Sequence, residues 1–252
     1  MLVVVPVVKT DNNMLPLAER CKASWDYFHP DIPMHIVKLE DWKDYIAELG
    51  QTPAYLEHSM VVGLFYAIQK MIVEKYDLFI YIDADTVVTG RCEEMFTNDY
   101  DIAVSQMAGY ADQYNAGIWA SKDLEFIKSF YYTHLKSPIP DNHLFMDIFN
   151  CFKPYKIIKI LDNDDTGVWY NERSREWWNR LSLKDNELRT PDRKIKILHW
   201  AAGSYANPNS RFSCSLFSDE VKQWLNKITG GTTFTDYDGK EFGDFIKRTY
   251  GL

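Results

Sequence analysis

The segment that most constrains this chain is the apolar run at residues 78–82, which ends abruptly in Asp83-Ala84-Asp85. Five consecutive apolar or aromatic residues are typical of a buried strand, and the run is too short for a helix. Asp is costly to bury without a partner, so two aspartates directly after such a strand must face solvent, a metal or a ligand. An isolated Asp-x-Asp is most often a solvated turn, but the carboxyl ends of strands in open α/β sheets are where ligands bind.

The rest of the chain alternates strand and helix patterns. The apolar run at 2–8 and the segment 34–39 predict strands, whereas 15–28 and 58–75 carry apolar residues at helical spacing. This alternation predicts an α/β fold with a mainly parallel central sheet flanked by helices. Further elements are expected as a short helix through Trp42 and Ile46, a helical turn at 93–96, strands at 100–105, 157–161 and 195–198, and helices at 123–135 and 143–152.

The chain shows no convincing domain boundary, and 252 residues suffice for one domain with a large core. We therefore expect a single catalytic domain over residues 1–252. The polar, Trp-rich stretch at about 162–193 is interpreted as an insertion or lid, and about 218–252 as a C-terminal helical extension. Asp162 and the two aspartates after it are interpreted as a solvated acidic loop.

Composition limits the partners and the compartment. The net charge of −8 argues against nucleic-acid binding, which requires a basic surface. The four cysteines are scattered without zinc-type spacing, which favours reduced, buried thiols in an intracellular protein. The N-terminus does not resemble a signal peptide, and no run approaches the roughly 20 apolar residues of a transmembrane helix. These features predict a cytoplasmic location and leave the oligomeric state open.

Asp83 and Asp85 are two residues apart, so they lie on the same side of an extended chain. Two adjacent carboxylates repel each other unless a cation lies between them, and a divalent cation with oxygen ligands would also hold a diphosphate. His199 follows a predicted strand directly and is expected at the same edge of the sheet. Two carboxylates and one imidazole suit Mn²⁺ or Mg²⁺. Taken alone, His199 is more often a structural histidine than a ligand.

Four motifs, taken together and in order, resemble those of the GT-A-fold glycosyltransferases. They are Tyr81-Ile-Asp83-Ala-Asp85-Thr, Asn115-Ala-Gly117-Ile, Asp147-Ile-Phe-Asn150 and His199-Trp-Ala-Ala-Gly203. The chain looks most like the branch that holds glycogenin and the bacterial lipooligosaccharide galactosyltransferases. The resemblance spans residues 2–208, and each motif by itself is weak.

The resemblance implies a set of nucleotide and metal ligands. Asp83 would contact the ribose and the metal, and Asp85 and His199 would bind the metal directly. The uridine would lie against a loop that corresponds to Val8, Lys9, Thr10, Asp11 and Asn13, next to the Asp83-Ala84-Asp85 turn. Backbone N–H groups of Gly203 and Ser204 would contact the diphosphate.

The resemblance also implies the residues around the sugar. Asn115 and Gly117 would line the donor sugar, and Asp147 would be an acid on its β-face, as nucleophile or as stabiliser of the transition state. Asp147 and Asn115 are therefore the candidate catalytic residues, and Asp147 favours a retaining reaction. The expected enzyme is a hexosyltransferase that uses Mn²⁺ or Mg²⁺ to move a sugar from a UDP-sugar to a hydroxyl of a glycan or protein-linked saccharide.

Two departures from the family pattern concern the phosphate and the sugar. Gly203 lies four residues after His199 instead of three, and Asn207 occupies the place of the family's phosphate-binding lysine, so Arg211 or Lys70 would have to supply the cation. The family's glutamine beside the matched acid is Met146, and the acid before that glutamine is Phe145.

Two alternatives remain at this stage. A haloacid dehalogenase-like phosphatase would use Asp83 as nucleophile and Asp85 as general acid and base, but it leaves His199 and the Asn115 motif unexplained. A non-catalytic nucleotide-sugar-binding protein would retain the fold without turnover. Consumption of a nucleotide sugar, hydrolysis of a phosphate monoester, and binding without turnover distinguish the three.

Overall fold

The computed structural model describes residues 1–7, 14–38, 59–107, 110–136, 141–162, 168–170, 180–199 and 217–231. The first half alternates β1 (Leu2–Val7), α1 (Met14–Phe28), β2 (Met34–Lys38), α2 (Ser59–Val73) and β3 (Phe79–Ile82), and then β4 (Thr86–Val88). The second half contains β5 (Ile102–Met107), β6 (Tyr110–Ser121), α3 (Leu124–His134), α4 (Asp141–Phe152), β7 (Ile158–Ile160), β8 (Val168–Trp169), β9 (Ser182–Lys184), β10 (Glu187–Arg189), β11 (Lys194–Ile195), β12 (Ile197–His199) and α5 (Asp219–Ile228). The alternation expected from the sequence is confirmed over these elements.

The central sheet has six strands in the order β2-β1-β3-β6-β5-β7. Strand β1 pairs in parallel with β2 and β3, and β5 pairs in parallel with β7. Strand β6 lies between these groups and is antiparallel to both of its neighbours. The mainly parallel sheet predicted from the sequence is therefore confirmed, with β6 as its reversed strand.

Alternate residues of β1 and β3 belong to different cores on the two faces of this sheet. Val3 and Ile80 pack with α1 and α5, whereas Leu2 and Phe79 pack with α2, α3 and α4. Side chains alternate across a strand, so a strand covered on both faces must be apolar at every position. This is why the sequence shows continuous apolar runs at β1 and β3 instead of an alternating pattern.

The prediction of one continuous strand at 195–198 is wrong, because the chain forms two strands that are separated at Lys196. Strand β11 belongs to a small sheet in the order β8-β11-β10-β9, whereas β12 pairs antiparallel with β4. The Lys196 ammonium donates to the carbonyl oxygen of Arg91 at 2.5 Å, which satisfies this buried cation at the break. The residue thus marks the point where the chain passes from one sheet to another.

The interpretation of Asp162 as part of a solvated loop is wrong. Asp162 is buried, and its carboxylate accepts hydrogen bonds from the backbone N–H groups of Gln106 at 2.6 Å and Tyr170 at 2.8 Å. A buried carboxylate is tolerated where backbone donors satisfy it. Asp162 therefore ties the end of β5 to the segment after β8, at the start of the stretch interpreted as an insertion.

Other expectations have mixed outcomes. Asp123 caps α3 by accepting from the N–H groups of Glu125 and Phe126, and the expected helix after residue 218 is α5. Cys21 and Cys92 are buried free thiols as expected, but Cys151 is exposed. The short helix expected at 42–46 lies outside the described residues. None of the helices in the described ranges combines the length and the hydropathy needed to cross a bilayer.

Candidate metal centre

Asp83 and Asp85 occupy the turn that joins β3 to β4, at the carboxyl end of the central strand β3. The Asp83 side chain is about one-third exposed, whereas that of Asp85 is almost buried. Both backbone polar groups of Asp83 are engaged: its N–H donates to the Gly117 carbonyl at 2.8 Å, and its carbonyl accepts from the Thr86 hydroxyl at 2.8 Å. The turn expected to face a ligand is therefore fixed on both sides.

His199 reaches these acids from the last position of β12. Strand β12 runs antiparallel to β4 and places His199 opposite Thr86. The His199 Nε2 atom lies 3.2 Å from Asp85 Oδ1 and 3.6 Å from Asp83 Oδ2, and its side chain is buried. The sequence predicted that His199 would meet the two acids, and the structure brings the three together. It does so through a separate two-stranded sheet, not through the central one.

The three side chains fit a divalent cation. One ligand atom from each, two carboxylate oxygens and one imidazole nitrogen, all lie within 4.8 Å of one another. Mixed oxygen and nitrogen donors suit Mn²⁺ and Mg²⁺, and three protein ligands leave positions for phosphate oxygens or water. Two neighbouring carboxylates also repel each other, and a cation between them would neutralise that repulsion. These residues are able to hold a metal ion.

Gly117 lies directly against the Asp83 carboxylate. A Cβ atom at this position would come within 2.2 Å of Asp83 Oδ2 and 2.7 Å of Asn115 Oδ1. Asn115 is buried, and its Oδ1 accepts from the Gly117 N–H at 2.7 Å. Glycine in a strand permits a bulge or a close backbone approach, and the pairing of β5 with β6 shifts register here, from Val104–Trp119 to Ser105–Asn115. The structure thus brings Asn115 and Gly117 to the predicted metal ligands.

The other predicted residues fall into two groups. Ala84 is buried between the two acids. Asp147 is exposed on α4. Its neighbour Met146 accepts a hydrogen bond from the Tyr114 N–H through its sulfur, at 3.3 Å. The role of Asp147 stays a prediction. The predicted nucleotide and diphosphate residues lie outside the described residues: Val8, Lys9, Thr10, Asp11, Asn13, Gly203 and Ser204.

Lys70 does not supply the positive charge that would replace the family's phosphate-binding lysine. Its ammonium pairs with Glu74 in the last turn of α2, which leads into the start of β3. Asp83 follows the opposite end of β3, so Lys70 lies at the far edge of the sheet from the metal ligands. Arg211, the other candidate, lies outside the described residues.

Sequence reasoning missed the contact between helix α1 and strand β4. Cys21 Sγ lies 3.2 Å from the Thr86 hydroxyl oxygen. One turn further along α1, the Ser24 hydroxyl accepts from the Val88 N–H at 2.9 Å and donates to the Cys21 carbonyl at 2.7 Å. Burial raises the pKa of the Cys21 thiol to about 12, so the thiol keeps its proton. The only signal in the sequence was the apolar face of α1, which does not identify hydrogen-bond partners.

Comparison with known proteins shows likeness in structure and not in sequence. No protein-family model and no curated protein sequence matches the chain. The glycosyltransferase GlyE of Streptococcus pneumoniae superposes with a TM-score of 0.52 at 11% identity, over 97% of this chain and 64% of GlyE. This chain therefore spans about two-thirds of the length of GlyE. The galactosyltransferase LgtC superposes with a TM-score of 0.49 at 15% identity, over 92% of this chain and 97% of LgtC. Mouse xyloside xylosyltransferase 1 superposes with a TM-score of 0.47 at 10% identity, over 81% of this chain and 98% of that one. The likeness to GlyE shows that this chain has the fold of the GT-A glycosyltransferases, as its motifs predicted.

Proposed function

We propose that this protein is a metal-dependent glycosyltransferase that moves a sugar from a UDP-sugar to a hydroxyl group of a glycan or protein-linked saccharide. The observation that carries the proposal is the convergence of Asp83, Asp85 and His199 at the carboxyl end of β3, in a fold shared with glycosyltransferases. The tight contact of Gly117 with Asp83 supports it, because it places a second matched motif at the same point.

In this proposal Asp83, Asp85 and His199 hold Mn²⁺ or Mg²⁺. When bound there, the cation would act as a Lewis acid and stabilise the negative charge that develops on the diphosphate leaving group. Asp83 is the most exposed of the three and is therefore the one placed to accept a hydrogen bond from the ribose as well. His199 acts as a neutral ligand, since metal binding requires the unprotonated imidazole.

The sugar binds beside these ligands. Transfer breaks the bond between the anomeric carbon and the diphosphate oxygen, forms a bond to the acceptor oxygen, and releases the hydroxyl proton. Asn115, held by the Gly117 N–H, contacts the sugar, and Asp147 stabilises or attacks the anomeric carbon in a retaining reaction. The loop with Val8, Lys9, Thr10, Asp11 and Asn13 binds the uridine, and Gly203 and Ser204 contact the diphosphate. Residues 162–193 act as an insertion or lid within a single catalytic domain.

The phosphatase alternative is less consistent with the geometry. A phosphatase that used Asp83 as nucleophile has no assigned role for an imidazole, yet His199 Nε2 lies within 3.6 Å of both carboxylates. The GlyE likeness also favours glycosyl transfer as the chemistry of this fold. A non-catalytic nucleotide-sugar-binding protein would share the same ligands and is distinguished by turnover.

The proposal is tested by calorimetric titration of UDP with and without Mn²⁺, on the wild type and on Asp85→Asn. We expect UDP binding that requires Mn²⁺ in the wild type and falls to its metal-free level in Asp85→Asn, because one anionic ligand is lost. Asp77→Asn is the matched control, since it makes the same chemical change at a side chain that is 91% exposed. If UDP binds as expected, a panel of UDP-sugars then identifies the donor. Absence of UDP binding under every metal condition would refute the proposal.

A further inference from the structure

Thr86, the first residue of β4, contacts three elements that surround the candidate metal ligands: the Asp83 backbone, strand β12 and helix α1. Its hydroxyl donates to the Asp83 carbonyl at 2.8 Å, and its backbone pairs with His199 across β4 and β12. The same hydroxyl oxygen lies 3.2 Å from Cys21 Sγ on α1. Thr86 and Cys21 are both buried. A single residue thus joins the acidic turn and a covering helix through its side chain, and the histidine strand through its backbone.

The direction of these hydrogen bonds follows from a count of hydrogens. A threonine hydroxyl has one hydrogen and two acceptor lone pairs. Its hydrogen is directed to the Asp83 carbonyl, so the contact with Cys21 uses the thiol as donor and the Thr86 oxygen as acceptor. The Met34 sulfur, 4.0 Å from Cys21 Sγ, is a second and more distant acceptor for the same thiol hydrogen, whereas the Thr86 oxygen lies at 3.2 Å and has no further hydrogen of its own to offer. The order of donors is therefore Cys21 to Thr86 to Asp83.

This arrangement fixes the direction in which the Asp83 side chain leaves the backbone. The Asp83 N–H is bonded to the Gly117 carbonyl, and its own carbonyl is bonded to the Thr86 hydroxyl. When both peptide groups that flank a residue are held, its Cα–Cβ bond can point in only one direction. Ser24 holds the other end of β4 through the Val88 N–H, so α1 supports the strand at both ends.

We propose that Thr86 is a positioning residue for the metal centre: its hydroxyl, supported by the Cys21 thiol, sets the Asp83–Asp85 turn opposite His199. The proposal rests on the proposed function only in that it requires these three side chains to bind a metal. Groups that orient metal ligands typically contribute 10- to 100-fold to metal affinity, although they do not touch the ion. Thr86 acts through Asp83 in this way.

The test compares two buried threonines near the two ends of β4. Thr86→Val removes the hydroxyl and keeps the branched shape. Thr89→Val is the matched control, because the Thr89 hydroxyl also donates to a buried backbone carbonyl, that of Ile195 at 2.7 Å, away from the ligands. Thr86→Ser keeps the hydroxyl that Thr86→Val removes. For each variant, Mn²⁺ affinity is measured from the electron paramagnetic resonance signal of free Mn²⁺, and stability from urea unfolding.

We expect Thr86→Val to bind Mn²⁺ about 10-fold more weakly, Thr89→Val to bind it like the wild type, and Thr86→Ser to regain affinity. Both valine variants should lose similar stability, so that only metal affinity separates them. Unchanged Mn²⁺ affinity in Thr86→Val, or equal losses in both valine variants, overturns the proposal while leaving the metal site intact. A wild type that binds no Mn²⁺ overturns the metal site and this proposal together.

Cys21→Ala provides a second route to the same hydroxyl if Thr86→Val is not recovered as a folded protein. It removes the donor that supports the Thr86 oxygen and leaves the bond from Thr86 to Asp83 in place. We expect weaker Mn²⁺ binding than in the wild type, in the same direction as for Thr86→Val and smaller. A folded Cys21→Ala protein with wild-type Mn²⁺ affinity contradicts the supporting role of α1.

Discussion

Replacing Gly117 by alanine tests how closely the metal ligands are packed. The new Cβ would lie 2.2 Å from Asp83 Oδ2, whereas ordinary contacts of a Cβ begin at 3.4 Å, so about 1.2 Å of movement is required. The backbone at Gly117 is not in the left-handed region, so alanine is conformationally allowed and the contact alone matters. The nearest group is the Asp83 carboxylate, and metal–ligand distances tolerate only about 0.2 Å of change. We expect Gly117→Ala to displace Asp83 and weaken Mn²⁺ binding about 10-fold or more.

The assay for Gly117→Ala is Mn²⁺ titration followed by the signal of free Mn²⁺, with urea unfolding as the measure of stability. Gly90→Ala is a suitable control, because its Cβ would meet the Lys196 side chain at 3.2 Å, which requires a shift of only a few tenths of an ångström, away from the ligands. We expect Gly90→Ala to bind Mn²⁺ like the wild type. If Gly117→Ala also binds Mn²⁺ with wild-type affinity and is folded, Asp83 is not a metal ligand in the arrangement described, and the argument from this close contact is refuted.

Two further predictions concern stability. Asp162→Ala leaves the buried N–H groups of Gln106 and Tyr170 without their acceptor, so urea unfolding should show a loss of roughly 2–5 kcal/mol; a loss well below 1 kcal/mol would contradict the tether. Burial, with a smaller effect from a nearby positive charge, lowers the pKa of His29 to about 4 from its ordinary 6.5, so the unfolded chain takes up a proton between these values that the folded chain does not. The free energy of unfolding should therefore fall by roughly 3 kcal/mol as the pH drops from 6.5 to 4. His29→Gln keeps an acceptor for the Cys92 N–H and should flatten this pH dependence. A pH dependence unchanged in His29→Gln would show that another group causes it.

The elements could be predicted from the sequence because local patterns determine them. The runs at β1 and β3 are apolar at every position because both faces of the sheet are covered. A short run of this kind is compatible with few structures other than a buried strand. The irregular pairing of β6 around Gly117 was also predictable, because glycine in a strand permits a bulge or a close backbone approach. These features depend on residues close together in the chain.

The features that the sequence did not predict depend on partners far apart in the chain. Asp162 looked like a surface acid, but backbone N–H groups of Tyr170 and of Gln106, which is 56 residues away, donate to its carboxylate and make its burial favourable. Cys21 looked like a small apolar residue, yet its thiol meets Thr86 at a separation of 65 residues. A side chain's chemistry does not indicate which distant donor or acceptor will satisfy it, so contacts of this kind require the fold.

The metal centre depends on the register of a two-stranded sheet more than on the central sheet. His199 meets the acids because β12 pairs with β4 so that His199 faces Thr86. A shift by one residue would turn every side chain of β12 to the opposite face and remove the imidazole from Asp83 and Asp85. The pairing continues at the other end, where the backbone N–H of Thr89 donates to the Lys196 carbonyl. The break at Lys196 separates β12 from the sheet of β11, and β12 then brings a distant histidine to the acids that follow β3.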